Sequence, residues 1–376
     1  MQPKLRVGAI ESNKKSIIST FQDVIRDQAS EIIVYPELAL TGYTCDDLFL
    51  NSDLLRACES AIKSIALATI NTDSIIIFGA ILGSKFFSPF ALTLILQQVQ
   101  IVAILGAAQS LVILTAGIDL SVGAIMVLSS VVMGQFTFRY GIPVELGIIC
   151  GLICGTGCGF INGWLVAVMR LPPFIVTLGM WQIILATTFI YSANESIRAQ
   201  DIEEQAVLLH FFGTKIPFGG VNFTYGALFA VILAFGLAYT LRTTAWGRHV
   251  FAVGDDPEAA ELSGVNVKKT LISVYMLAGL ICAFAGWAVI GRIGAVSPNV
   301  GQLGNIESIT AVVIGGISLF GGRGSIAGML FGALIVGVFS LALRLLGADA
   351  QWTYLLIGLL IIFAVAIDQW IRKVSV

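Results

Sequence analysis

Long apolar stretches dominate the chain from residue 86 onward. A helix of about 20 apolar residues crosses the hydrocarbon core of a membrane, and six stretches reach that length. They lie at about 92–116, 142–169, 174–193, 270–290, 325–346 and 352–370. Three shorter stretches, at 120–137, 226–241 and 306–320, are rich in small residues that let helices approach closely in lipid. The pattern predicts a polytopic helical bundle of about nine spans.

The first 85 residues have a different pattern, in which short apolar runs alternate with amphipathic helices. The runs are LRVGAI, EIIVYPEL and SIIIFGAIL, and the helices between them are SIISTFQDVIRDQ and DLLRACESAIKSIALA. This order is typical of α/β domains. The two parts also differ in their density of charged residues, since 18 of the 44 Asp, Glu, Lys and Arg residues lie in 1–85. We expect an α/β fragment at 1–85 and a membrane domain at 86–376, which makes the chain mainly α-helical.

Composition favours a membrane protein over a soluble one. The chain is 57% hydrophobic and 12% charged, with a mean hydropathy of +0.92, whereas about a quarter of an average soluble domain is charged. The net charge is -2 and no long basic run occurs, so we expect no nucleic-acid partner. Cys150, Cys154 and Cys158 recur every four residues without a nearby His or carboxylate. We expect a small-residue packing face there and no metal site.

A first resemblance lies in the stretch IIVYPELALTGY, followed by DDLFL. Residues 1–82 resemble the nitrilase superfamily, most closely the glutaminase domain at the front of glutamine-dependent NAD synthetases. The resemblance implies that Glu37 is the general base of a Glu-Lys-Cys set. The lysine and the nucleophile have no matching positions, and Cys45 and Cys58 lie outside the nucleophile's motif. We expect no catalytic residue and no enzyme; the alternatives are a membrane-anchored amidase or NAD-synthesis relic and a non-functional chimera.

Basic residues indicate which loops face the cytoplasm. The loop 242–269 has four Lys and Arg residues close to its membrane ends, and Arg372 and Lys373 lie near the end of the chain. The loop 194–225 is richer in acidic residues. By the positive-inside rule, we expect the first loop and the C-terminus in the cytoplasm and the loop 194–225 outside.

A second resemblance covers nearly all of 86–376. Four motifs match in order the permease subunits of ribose-type sugar ABC importers: GIDLSVGAIM at 117–126, LPPFIVTLGM at 171–180, WGRHVFAVGDDPEAAELSGV at 246–265 and ITAVVIGGISLFGGRGSIAGMLFGALIVG at 309–337. The resemblance implies a multi-pass protein of the bacterial inner membrane, embedded in lipid. Its partners would be a second permease copy, an ATP-binding cassette ATPase subunit and an extracytoplasmic sugar-binding protein. No GxxxxGK[ST] loop occurs in the chain, so we expect no nucleotide site and no cofactor.

The segment DDPEAAELSG predicts a short helix on the cytoplasmic loop. Asp255 or Asp256 caps it, Pro257 suits its first turn, and Gly264 ends it. The resemblance implies that this helix couples the permease to the ATPase, and the alternative is an ordinary solvated loop helix. The expected coupling residues are Gly254, Asp255, Pro257, Glu258, Ala259, Ala260, Glu261, Ser263 and Gly264.

Polar residues at membrane depth are candidates for the transport path, because lipid disfavours them. The candidates are Gln98, Asp119, Asn162, Gln182 and Glu307, and Arg292 and Arg344 are further ionisable residues at that depth. Two carboxylates fall near predicted helix ends, where interfacial solvation is the alternative. The three amides bind sugar hydroxyls or bond neighbouring helices. The sugar is not named by the sequence, because a separate binding protein usually sets it.

The first span of such permeases has no counterpart in this pattern. IIIFGAIL has eight residues, too few to cross about 30 Å of hydrocarbon as a helix, and the front fragment occupies the place of that span. Counting spans from the cytoplasmic loop puts residue 90 outside. A fused gene, a rearrangement or an assembly artefact fits this arrangement better than a designed bifunctional protein.

Overall fold

The computed structural model describes residues 10–27, 32–35, 60, 61, 64, 75–78, 89–218, 221–301 and 304–345, and scattered positions between 351 and 369. The chain forms two compact units, Met1–Leu92 and Thr93–Val376. Glu37, Cys45 and Cys58 lie outside the described residues, as do most of the expected first strand and second helix of the front segment.

The described part of the first unit contains one helix and two strands. Helix α1 spans Ile10–Asp27, strand β1 spans Ile32–Tyr35, and β2 spans Ile75–Phe78. The two strands pair in parallel, with Ile32 opposite Ile75, as expected for the second and third apolar runs of an α/β segment. The helix begins six residues earlier than SIISTF predicts, and its first turn holds an ion pair of 2.7 Å between Glu11 and Lys14.

Seven helices among the described residues are long and apolar enough to cross a membrane. They are α2 (Pro89–Leu114), α3 (Val122–Tyr140), α4 (Val144–Ala167), α5 (Pro173–Ser192), α7 (Tyr225–Thr243), α10 (Val267–Ile293) and α12 (Ile326–Leu345). The helical bundle is therefore confirmed. The stretches 120–137 and 226–241, expected as short, form α3 and α7, which have 19 residues each.

Two of the nine expected spans are not among these seven helices. The stretch 306–320 forms α11 (Gly304–Ile314), which has only 11 residues, because the chain leaves the helix at Gly315 and turns at Gly316, where φ is 79°. A helix of that length rises about 16 Å, roughly half the hydrocarbon thickness. The stretch 352–370 lies mostly outside the described residues.

Short elements fill the loops. Between α5 and α7 lie α6 (Ala199–Gln205), a 3-10 helix (Val207–Gly213) and an antiparallel pair of strands, β3 (Lys215–Phe218) and β4 (Val221–Thr224). Between α7 and α10 lie α8 (Ala245–Asp255) and α9 (Pro257–Leu262). The long loop expected outside the cell is thus structured, and the loop expected in the cytoplasm holds two helices in succession.

The core of the second unit is built around α2, α3 and α10. Buried residues make up 78%, 78% and 72% of the most apolar windows of these helices, against 28% in α4, α5 and α7. The latter three therefore expose most of their apolar surface. In a protein surrounded by lipid, such an apolar surface contacts the hydrocarbon chains of the lipid.

Small residues on α4 allow it to pack tightly against α3 and α10. The buried face of α4 has a glycine at almost every fourth position: Gly147, Gly151, Gly155, Gly159 and Gly163. A Cβ atom on Gly155 would lie 2.8 Å from the carbonyl oxygen of Gly279 in α10. The expected packing face is present, and the half-buried Cys150, Cys154 and Cys158 lie on the same helix.

Candidate functional site

The segment expected to couple the permease to an ATPase is a short helix with a defined cap at each end. Asp256 precedes α9, and its Oδ1 accepts hydrogen bonds from the backbone N–H groups of Glu258 at 2.9 Å and Ala259 at 3.0 Å. Pro257 occupies the first turn. Of the two aspartates proposed as the cap, Asp256 is the correct one, because Asp255 is the last residue of α8.

The C-terminal end of α9 is closed by a glycine in the left-handed conformation. Gly264 has φ 87°. Its N–H bonds the carbonyl oxygen of Glu261, and the N–H of Val265 bonds that of Ala260, both at 3.0 Å. This is the Schellman pattern, which satisfies the last carbonyl groups of a helix. A helix of six residues is marginal by itself, so these caps hold α9 in place.

The side chains of α9 divide into one buried anchor and an exposed surface. Ala260 is buried and faces the protein. Glu258, Glu261 and Leu262 are exposed, and 91% of the Leu262 surface is accessible. Leu262 is thus an open aliphatic side chain on an otherwise acidic helix surface. Leu262 was not among the expected coupling residues, although it is the one leucine in PEAAEL and, after Pro257, the only apolar side chain there larger than alanine.

Gly254, an expected coupling residue, lies where three backbone segments meet. A Cβ atom at this position would clash with the carbonyl oxygen of Leu114, at the end of α2, and would lie 2.7 Å from the nitrogen of Gly322. The N–H of Gly322 donates to the same Leu114 carbonyl at 3.0 Å. The end of α8 is therefore in direct contact with the end of α2 and with the turn that joins α11 to α12. Motion of α8 and α9 would reach both.

Two of the transport-path candidates lie together in a buried polar cluster. Asp119 is 1% exposed, and its Oδ1 accepts hydrogen bonds from the N–H of Ser121 at 2.7 Å and from its hydroxyl at 2.6 Å. The amide of Asn162 on α4 donates to the Ser121 oxygen at 2.9 Å. The alternative given for Asp119, interfacial solvation, does not describe a buried carboxylate whose hydrogen bonds come from Ser121. The sequence reading missed Ser121, two residues beyond the aspartate.

The loop that contains Asp119 is fixed from two further sides. Thr177 on α5 donates from its hydroxyl to the carbonyl oxygen of Ile118 at 3.0 Å. At the start of α3, the N–H of Gly123 donates to Asn305 Oδ1 at 2.5 Å. Residues 117–123 therefore connect α4, α5 and α11, which makes the cluster a structural junction of the bundle.

The remaining transport-path candidates lie apart from this cluster. Gln98 on α2 accepts a hydrogen bond from the guanidinium of Arg292 on α10 at 2.5 Å, so this amide bonds a neighbouring helix. Glu307 is half-buried in the first turn of α11. Gln182 is exposed on the outward face of α5. The side chain of Arg344 lies outside the described part.

The described residues contain no group of three or more His, Cys, Asp and Glu side chains placed to hold a metal ion. The cysteines described are unpaired, with Cys282 buried in α10. The transport-path candidates are therefore three amides, Gln98, Asn162 and Gln182, and two separated carboxylates, Asp119 and Glu307.

Comparison with known proteins identifies a transport family. Residues 91–365 match the family described as "Branched-chain amino acid transport system / permease component". The fructose import permease protein FrcC of Rhizobium meliloti is 65% identical over 355 residues, which cover 94% of this chain and 96% of the relative. The ribose import permease protein RbsC of Bacillus subtilis is 35% identical over 299 residues, with 78% and 89% covered. The galactose/methyl galactoside import permease protein MglC of Escherichia coli is 32% identical over 298 residues, with 76% and 88% covered. No solved structure gives a significant match.

These matches bear on the front segment as well. Since the similarity to the fructose permease covers 94% of the chain, it must extend into the first 85 residues. The nitrilase-like resemblance of residues 1–82 gains no support from the matches, and neither does the expectation of a chimera. The permease resemblance of the remainder is confirmed.

Proposed function

Since the chain belongs to the family of branched-chain amino acid transport system permease components, we propose that it carries fructose across the inner membrane. It is the permease component of a sugar ABC importer, and it is a multi-pass membrane protein and not an enzyme. Such a component works with an ATPase and a substrate-binding protein. We propose three further points: that the sugar is fructose, that a second copy of the permease takes part, and that individual residues have the roles given below.

The substrate proposal depends on the relatives more than on the family. The family description refers to amino acids, whereas the relatives compared are sugar permeases. Identity falls from 65% with the fructose permease to 35% with the ribose permease of Bacillus subtilis. This difference is the observation that favours fructose over the ribose-type sugar expected from the motifs. The binding protein would still select the sugar, and the permease would accept what it delivers.

Uptake of radiolabelled fructose tests this function. The chain is expressed with the ATPase and binding protein of its own host in cells that lack other fructose uptake. We expect ATP-dependent fructose uptake that a large excess of unlabelled fructose suppresses and that ribose or galactose leaves nearly unchanged. Uptake of ribose in preference to fructose would refute fructose as the substrate but would still support a sugar transporter. A chain that inserts and assembles but moves no sugar would refute both.

We propose that α9 is the surface that contacts the ATPase. Two acidic side chains, Glu258 and Glu261, surround the open Leu262, which gives an apolar centre with a charged rim, as in many protein interfaces. The caps at Asp256 and Gly264 hold the helix rigid, so little conformational freedom is lost on binding. The contact of Gly254 with Leu114 and Gly322 then offers a route from this surface into α2 and α12.

We propose that a second copy of the chain covers the outward face of α5. Gln182 is the tenth residue of this helix, so it lies about 14 Å from the helix start, near the middle of a membrane. Its amide is exposed, and lipid offers it no hydrogen bond. Gly179 and Ala186 share the exposed face, and small residues allow close helix approach. A two-fold axis near Gln182 would place the two amides within reach of each other.

A further inference from the structure

A deep apolar furrow runs between α7 and α12. Its first part is a cavity of about 440 Å³ with walls from α7, α8 and α12. Aromatic and aliphatic side chains form most of the wall: Phe235, Ala238 and Leu241 from α7, and Leu330, Phe331 and Leu334 from α12. Phe235 and Phe331 are 70% and 68% exposed, so the furrow opens toward the surroundings of the bundle.

A second cavity continues the furrow toward the other end of α7. It has about 530 Å³, shares Leu330 and Leu334 with the first, and extends along α7 to Ala227 with α2 as its further wall. From Ala227 to Arg242 the helix rises about 22 Å. An unbranched hydrocarbon chain fits such a long, narrow apolar space better than a compact sugar does.

The first cavity ends at a positively charged rim. Arg242, the penultimate residue of α7, lines the cavity together with Gly324 and Ser325 at the start of α12. Among the described residues no carboxylate lies within ion-pair distance of Arg242. The Ser325 hydroxyl accepts the N–H of Gly328 at 3.1 Å and so caps α12, whose first turn adds a partial positive charge to the rim.

We propose that the furrow binds one anionic glycerophospholipid, with its phosphate at Arg242 and an acyl chain along α7 and α12. The positive rim adjoins the loop 242–269, which the positive-inside rule assigns to the cytoplasm, and the cytoplasmic leaflet is the one rich in anionic lipid. A free phosphate would gain nothing from the apolar walls. A zwitterionic lipid such as phosphatidylcholine would gain less from Arg242, because the cation of its own headgroup offsets the charge of its phosphate. The inference requires only that the chain spans the membrane and not that it transports fructose.

Native mass spectrometry of the purified full chain tests the phosphate half of this site. Phosphatidylglycerol and phosphatidylcholine are titrated into the detergent-solubilised protein, and the bound fraction is measured. An arginine near the surface contributes about 1 kcal/mol to binding of anionic lipid, so Arg242→Gln should weaken phosphatidylglycerol binding about fivefold. Arg248→Gln is the control, because Arg248 is also exposed, belongs to the same loop 242–269 and does not line the furrow. Equal weakening by both variants would mean general surface attraction and would overturn the site.

Two further variants test the apolar half. Ala238→Trp would fill the furrow, so it should abolish retention of phosphatidylglycerol while binding of inorganic phosphate alone stays undetectable in every variant. Phe331→Ala removes an exposed wall residue at little cost to folding and should weaken lipid binding severalfold. Monodisperse elution checks that each variant is folded. Unchanged lipid binding in both variants, or phosphatidylcholine binding equal to that of phosphatidylglycerol in the unmodified chain, would refute the proposal.

Discussion

The N–H of Gly322 donates a hydrogen bond of 3.0 Å to the carbonyl oxygen of Leu114, and Gly254 packs against both residues with no room for a side chain. Leu114 is the last residue of the membrane helix α2 and Gly322 lies in the turn before α12, while Gly254 belongs to the loop proposed to meet the ATPase. The first prediction concerns this contact.

Gly254→Ala should damage both stability and transport. The added methyl group would clash with the Leu114 carbonyl, which is backbone and cannot rotate away, and such overpacking costs about 1–3 kcal/mol. We expect a lower unfolding temperature of the purified chain and a fall in fructose uptake. Gly236→Ala is the matched control, since nothing lies within 4 Å of a Cβ atom there. If both variants behave alike, the contact has no mechanical role.

Substitutions on α9 should weaken ATPase association without disturbing the membrane domain. Leu262→Ala removes the exposed apolar centre and should cost about 2 kcal/mol of association free energy, because each methylene buried in the interface contributes about 0.8 kcal/mol. The double change Glu258→Lys, Glu261→Lys reverses the charge of the rim and should lower the amount of co-purified ATPase. Co-purification from membranes at equal permease level measures both.

A control for α9 comes from the other loop. Glu203 is an exposed carboxylate on α6, in the loop predicted to face outside, so Glu203→Lys should leave ATPase association unchanged. Wild-type yields of ATPase with the α9 variants would contradict the proposed coupling surface.

The two ends of α9 show which features a sequence reveals. Capping depends on residues a few positions apart, so Asp256, Pro257 and Gly264 could be read from DDPEAAELSG. The bond between Gln98 and Arg292 and the cluster of Ser121 with Asn162 join distant segments. Hydropathy gives the depth of such residues and not their neighbours. For the same reason the exposure of Leu262 and of Gln182 needed the packed structure.

Ser121→Ala should destabilise the buried junction around Asp119. The change removes one donor to the carboxylate and the oxygen that accepts from Asn162, and a buried polar group left without its partner costs about 1–3 kcal/mol. Thermal unfolding in detergent measures the loss. Ser297→Ala removes a half-buried hydroxyl that accepts from the exposed Ser196 at 3.1 Å and from the N–H of Asn299 at 3.4 Å, and it should have a much smaller effect. Equal unfolding temperatures for the two variants would show that the cluster contributes little.

The dimer proposal predicts that Gln182 lies next to the same residue of a second copy. In a chain whose six cysteines are replaced by alanine, Gln182→Cys should form a disulfide-linked dimer in membranes on mild oxidation, because a residue near a two-fold axis meets its own counterpart. Phe235→Cys is the control, since Phe235 is 70% exposed at mid-span of α7 and faces the proposed lipid furrow. Gln182→Leu should also weaken dimerisation by about 0.6–2 kcal/mol, the range for a hydrogen bond between membrane helices.

A dimer cross-linked through position 235 and not through 182 would place the second copy against α7. Both the proposed α5 interface and the proposed open furrow would then be wrong.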